Sequence, residues 1–372
     1  MSETMPVEEA EELPEPEGLQ TEAELEEPSA YPLDDVMVRS ETRTVAEVVK
    51  RINTDRYIMD PDFQRDFVWG AEKQSKLIES CVMRIPLPVL YVAESMDGRV
   101  AVVDGLQRLS SFRSFLANKL RLTGLGDEHP LKGKKFSDLP IHLQERIEDT
   151  QLTLYILDKE APEVARLDIF ERVNGGEPLT RQQMRNAIYN GEGTRWLSKI
   201  AKAPNFQRTT DGKLNWRTMR DREAINRFAA FRLLGWEAYE NGDMDDFLAK
   251  ALKRMNKMSS AGLDELEAEF IRSMRVNELL FDRHAFRKSL RDRSPTAYRS
   301  VINIALFDVL SVLLARVPLE VAKARKNEIA SAVVELLADN QFELSITYST
   351  NSTNKVQTRF GMANAVLDVF TT

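Results

Sequence analysis

The chain has 372 residues, of which 42% are hydrophobic and 30% charged, a soluble globular profile with length enough for two domains of ordinary size. Its single cysteine, Cys81, excludes an internal disulfide and any cysteine-based zinc site, and its acidic start, with no apolar run, predicts no secretory leader. The net charge of −8 is unevenly spread: residues 1–38 hold 13 acidic side chains and no lysine or arginine, leaving 46 acidic against 51 basic side chains in the remainder, a balance of +5.

Residues 1–38 are rich in glutamate and proline and carry too little apolar surface to offset ordering entropy. They are expected to be disordered, either as a solubilising tail or as a nucleic-acid mimic that competes for the basic remainder. A mixed domain is expected over 39–192 and a helical domain over 193–372. Val45, Val48, Val49 and Ile52 have helical spacing after Thr44, and residues 57–69 read as extended and irregular. A helix is predicted over 71–83, stopped by Pro86 and Pro88, with Cys81 a small core residue on its apolar side. Residues 89–93 and 99–104 read as strands joined by a turn through Gly98. Helices are predicted over 106–118 and 142–149, then a strand over 152–157. A helix over 163–173 stops at Asn174-Gly175-Gly176, and another over 181–189 follows Leu179-Thr180.

Beyond residue 193 the apolar spacing is helical nearly throughout, over 221–239, 244–258, 263–280, 295–316 and 319–337, with Ser294-Pro295 as a cap pair. A short strand is predicted over 342–348 and a last helix over 353–369. The most apolar stretch, 301–317, is interrupted by Asn303, Asp308 and Arg316, so it reads as a buried helix and not a membrane span. The fold class is α+β, no membrane association is expected, and a reducing cytoplasm is the expected location.

The strongest chemical signal lies at residues 100–111. An apolar run, Val100 to Val103, ends on Asp104-Gly105, and Leu106, Leu109, Phe112 and Leu116 begin a helix at once. A strand that turns through glycine into a helix presents backbone N–H groups and the positive end of the helix dipole. That arrangement suits a phosphate, with Arg108 as a bidentate partner, Ser110 one turn on, and Asp104 placed for a metal ion or a water. The same residues also suit an ordinary strand-to-helix turn with a solvated arginine. Upstream, Gln64 and Arg65 suit a phosphate or a base edge, while Trp69 either stacks on a base or packs in the core. Downstream, Gly175-Gly176 present N–H groups to a second phosphate or simply close a helix, and Asn174 suits a ribose, a phosphate or a metal-bound water. Arg172, Arg181 and Arg185 add positive charge nearby.

Together these stretches resemble one family, that of the N-terminal domain of GmrSD-type restriction endonucleases. Its DGQQR motif is matched by Asp104-Gly105-Leu106-Gln107-Arg108. Its FQR-x-x-VW, Q-x-x-LIES and IP-x-P signatures are matched by Phe63-Gln64-Arg65, Val68-Trp69, Gln74, Leu77-Ile78-Glu79-Ser80 and Ile85-Pro86-Leu87-Pro88. Its FERIN-x-GG-x-PLT-x-QELRNA signature resembles residues 170–187 through most of its length, and residues 219–228 and 303–307 also look familial. The resemblance implies a ParB/sulfiredoxin-like body and binding of a nucleoside triphosphate. In better understood members it also implies hydrolysis coupled to restriction of foreign or modified DNA. Carried onto this chain, Asp104, Gln107 and Arg108 become the expected catalytic residues, with Gly105, Ser110, Gln64, Arg65, Asn174, Gly175 and Gly176 lining the nucleotide. Position 106 departs from the pattern: an amide is replaced by the alkyl chain of Leu106.

Other chemistries lack their residues. No Walker-type loop is present, and His129, His142 and His284 have no ligand spacing such as H-x-x-x-H. A nuclease, if the system has one, is therefore expected on another polypeptide or as an unrecognised activity of the α/β body, and a separate nuclease or a modification-system protein is the expected partner. One reading is an NTP hydrolase of an anti-phage restriction system, with magnesium bridging the phosphates near Asp104 or Asn174 and with Arg108 and Arg65 neutralising charge. A second is a nucleotide-gated module for DNA or a partner, without turnover. A third is DNA nicking by the ParB-like body. DNA binding by a body at +5 is expected to be modest and salt-dependent.

Overall fold

The computed structural model describes residues 16–18, 38–59, 69–94, 98–126, 128–158, 180–291 and 298–371. They divide into two compact units, one within Glu26–Gly191 and one within Glu192–Thr372 that also takes in residues 16–18.

Among the described residues the first unit carries a five-stranded sheet, β1 (Val38–Thr44), β2 (Tyr57–Ile58), β3 (Leu90–Glu94), β4 (Val100–Asp104) and β5 (Gln151–Leu157), in the order β1-β5-β3-β4-β2. β1 runs antiparallel to β5 and β3 antiparallel to β4, while β5 is parallel to β3 and β2 parallel to β4. Successive side chains of a strand point to opposite faces, so the burial of Ala101, Val102 and Val103 in a row means that β4 is covered on both sides. The helices are α1 (Val45–Asn53), α2 (Ala71–Val82), α3 (Leu106–Leu116), α4 (Ile141–Glu148) and α5 (Arg181–Ile188).

α1 begins as its sequence dictates. The Thr44 hydroxyl accepts the Glu47 N–H at 3.2 Å, Glu47 sits in the first turn, and Val45, Val48, Val49 and Ile52 form the buried stripe. α1, α2 and α3 supply Val48, Ile78, Leu109 and Phe112 to a core shared with Val92, Val102 and Leu154 of the sheet. Each such side chain contributes about 1.5–3 kcal/mol by leaving water. Cys81 belongs to this core, and burial pushes its thiol up to about 11.

The second unit is helical: α6 (Glu192–Ala201), α7 (Pro204–Thr210), α8 (Arg220–Leu234), α9 (Met244–Met255), α10 (Ser260–Phe281), α11 (Ile304–Leu314), α12 (Leu319–Ala324), α13 (Lys326–Ala338), α14 (Asn340–Thr347) and α15 (Thr353–Leu367). Every residue of α11 is buried, and α8, α10, α14 and α15 pack around it. At its centre Asp308 accepts Arg227 Nε at 2.8 Å, Arg227 Nη2 at 2.6 Å and Arg359 Nη2 at 3.0 Å. Burial pulls the Arg359 guanidinium down to about 10, although Asp308 opposes the shift.

Several expectations are corrected. β1 has no counterpart among the predicted strands, because its polar residues give no apolar alternation; it is an edge strand, paired on β5 alone. Residues 340–347 form a helix in place of the expected strand, because Asp339 caps the N–H groups of Gln341 and Phe342 at 2.8 and 3.1 Å and Phe342 and Ile346 share one buried side. α11 starts at Ile304 and not near 295, since the Asn303 side chain accepts the Leu306 N–H at 2.8 Å. Arg325, with φ −111° and ψ 27°, splits the helix expected over 319–337. The helix expected over 163–173 and the cap pair Ser294-Pro295 lie outside the described residues. Within the acidic N-terminal stretch, Glu17 has a defined place, bridging to Asn303. No described helix is long and apolar enough to cross a membrane.

Candidate functional site: the turn from strand to helix at Gly105

β4 ends on Asp104, Gly105 turns the chain at φ +98° and ψ 9°, and α3 begins at Leu106. Only glycine takes this left-handed conformation without strain. Space enforces the same choice, because a Cβ on Gly105 would stand 2.0 Å from Leu90 Cδ2 and 3.3 Å from Arg108 Nη2. A glycine cap has no side chain to accept from the first turn of α3.

Arg108 is turned inward. Its Nη2 donates to Asp104 Oδ2 at 2.8 Å and to the Val89 carbonyl at 3.0 Å, and its Nη1 donates to the Pro88 carbonyl. Burial lowers its pKa while the Asp104 carboxylate works against that shift; a guanidinium stays charged all the same. The expected solvated or phosphate-facing arginine is therefore a brace, tying the IP-x-P segment to the start of α3. The Asp104 side chain remains 37% exposed, against 10% for Arg108. Leu106 is buried in the core shared with Leu109 and Phe112, so its alkyl chain packs. Ser110 is exposed on α3.

Gln107 ties two motifs together. Its Oε1 accepts the Trp69 N–H at 3.1 Å, and Gln74 Nε2 donates to the Trp69 carbonyl at 2.6 Å. Trp69 is partly buried against the core with Lys73 Nζ 4.5 Å from its ring centre, so packing is the reading that holds. This anchors the chain at Trp69. Gln64, Arg65, Asn174, Gly175 and Gly176 themselves lie outside the described residues. Of the third motif, the helix α5 lies against β4. Thr180 and Gln183 form a reciprocal cap, with the Thr180 N–H donating to Gln183 Oε1 at 2.7 Å and the Gln183 N–H to the Thr180 hydroxyl at 3.3 Å.

Sequence reasoning missed the buried polar row behind that cap. Gln182, Arg185 and Asn186 are almost wholly buried; Gln182 Nε2 donates to Asn186 Oδ1 at 2.8 Å and Arg185 Nε to Gln182 Oε1 at 3.1 Å. The signal was present as polar residues at the i, i+3 and i+4 spacing of one helix face. Two histidines have partners of their own: His129 pairs with Glu79 at 2.9 Å, and His284 with Ser289 at 2.9 Å. Among the described residues no group of three or more His, Cys, Asp or Glu is placed to hold a metal ion.

The fold and this turn define a mixed α+β domain in which a strand runs through a left-handed glycine into a helix carrying a buried arginine brace. Residues 45–190 match the family described as GmrSD restriction endonuclease, N-terminal domain, and this stretch of the chain is a domain of that family. No curated protein and no solved structure matches the chain.

Proposed function

We propose that residues 45–190 bind a nucleoside triphosphate at the β4–α3 turn, and that the chain is the nucleotide-dependent subunit of a DNA restriction system. The observation that supports this reading is that three motif stretches meet around β4 and the helix that follows it: Gln107 and Gln74 hold Trp69, Arg108 braces residues 88 and 89, and α5 lies against β4. In this reading the first turn of α3, capped by a glycine that has no side chain of its own to offer, presents backbone N–H groups and the positive end of the helix dipole to phosphate oxygens. Asp104 offers a partly exposed carboxylate to the magnesium that accompanies the triphosphate, and Arg108 positions Asp104. Gln64, Arg65, Asn174, Gly175 and Gly176 complete the pocket, with Ser110 at its margin. DNA, and a nuclease or a modification-system protein, are its proposed partners.

Hydrolysis is the finer claim. The two central motif positions are committed to the fold here, position 106 to core packing and Gln107 to the Trp69 N–H. That favours a slow enzyme or a nucleotide-gated switch. Thermal shifts with ATP, GTP, CTP and UTP plus magnesium test binding, and phosphate release with and without DNA tests turnover. One nucleotide is expected to raise the melting temperature of the wild type and not of Asp104→Asn. No shift with any nucleotide, or an undiminished shift in Asp104→Asn, overturns the site. Nucleotide binding without phosphate release selects the switch.

A further inference from the structure

Residues 16–18 sit on the helical unit in the manner of an added strand. The Glu17 N–H donates to the Ile302 carbonyl at 2.8 Å, and the Glu17 carbonyl accepts the Ile304 N–H at 2.8 Å. The other side of the same short segment is taken, since Ile302 bridges to Arg287 and the Asn303 N–H donates to the Phe286 carbonyl at 2.9 Å. Glu17 therefore completes a three-stranded patch at the entrance to α11. Side chains add selectivity to these main-chain bonds. The Glu17 carboxylate pairs with Lys288, whose Nζ also donates to the Thr347 hydroxyl at 2.9 Å. Pro16 is buried. Gly18 has φ +85°, a conformation that favours glycine, and its carbonyl accepts the Thr350 hydroxyl at 3.2 Å.

We propose that this edge of the helical unit is a recognition site for an extended acidic Pro-Glu-Gly peptide, occupied in cis by residues 16–18 and open to exchange with a partner protein presenting the same chemistry. Two main-chain bonds, the Thr350 hydroxyl on the Gly18 carbonyl, one partly exposed ion pair and a buried proline make a contact of only three residues, small enough to exchange. The cis peptide has the advantage of belonging to the same chain over a free peptide of the same sequence. A partner segment that binds more tightly than the cis peptide displaces it and frees the acidic N-terminal stretch. The inference is independent of nucleotide binding.

The test uses the full chain and a fluorescent peptide of residues 13–21. In the variant Glu17→Lys with Gly18→Ala, which repels Lys288 and strains the turn, the peptide is expected to bind at least tenfold more tightly than to the wild type. Adding Lys288→Glu is expected to abolish that binding. Hydrogen exchange gives a second readout: the Ile304 amide should exchange at least tenfold faster in the double variant and regain protection when the peptide is added. Equal peptide binding by wild type and variant, no binding to either, or an Ile304 amide indifferent to the substitutions overturns the proposal.

Discussion

Gly105 and Leu106 are adjacent and answer to different constraints. A side chain on Gly105 meets Leu90 at 2.0 Å and must adopt φ +98°. Gly105→Ala is therefore expected to destabilise the fold by about 2 kcal/mol or more, the sum of a left-handed non-glycine residue and an overpacked contact, read from urea or guanidinium midpoints. Leu106 is 5% exposed in the core. Leu106→Gln buries an amide where an alkyl chain packs, at a cost of about 1–3 kcal/mol. It is expected to lower the unfolding midpoint without raising phosphate release; a gain in turnover would show that position 106 limits chemistry. The Asp104-Gly105 turn was legible from sequence because a glycine set between an apolar run and a helical pattern marks the point where the chain must reverse. The inward course of Arg108 was not, since nothing local reveals that the carbonyls of Pro88 and Val89 await it.

Elements were legible where their periodicity was apolar. α1, α2 and α3 carry apolar stripes and appear close to where the sequence puts them. β1 carries none, and its pairing with β5 joins residues more than a hundred positions apart. α14 shows the opposite failure: an alternating stretch looks like a strand until the Asp339 cap is counted. The Gln107–Trp69 contact spans 38 positions, so its two motifs were visible while their junction was not. α5 is an element whose placement depends on its cap. Thr180→Ala removes one half of the reciprocal cap and is expected to destabilise the first unit by about 1 kcal/mol. If α5 supports β4 as its position indicates, nucleotide-induced thermal shifts weaken in the same variant.

For the whole molecule, acid response follows from buried carboxyls. Asp221, 3% exposed in the first turn of α8, accepts the Arg222 N–H at 2.7 Å, yet burial pushes its carboxyl up to about 6. An unfolded aspartate titrates near 3.9, so between roughly pH 4 and 6 the native state binds a proton that the unfolded chain has released. Stability should therefore fall as pH rises through that window, on the order of 2–3 kcal/mol for this group. Burial also raises the Asp243 carboxyl, which acts with the same sign. Glu47, lowered by Arg43, acts oppositely but is largely exposed and screened. Denaturant midpoints at several pH values should show the slope, and Asp221→Asn should flatten most of it; an unchanged slope would refute the assignment.

The bond between Glu17 and the segment ahead of α11 carries a practical warning for anyone trimming the glutamate-rich leader. A chain shortened to begin at residue 39 leaves the Ile302 oxygen and the Ile304 amide without their strand partner, an open β-edge of the kind that zips onto copies of itself. Such a product is expected to form more dimers and precipitate than the full chain, measured by size-exclusion chromatography, and a synthetic peptide of residues 13–21 added during purification should suppress them.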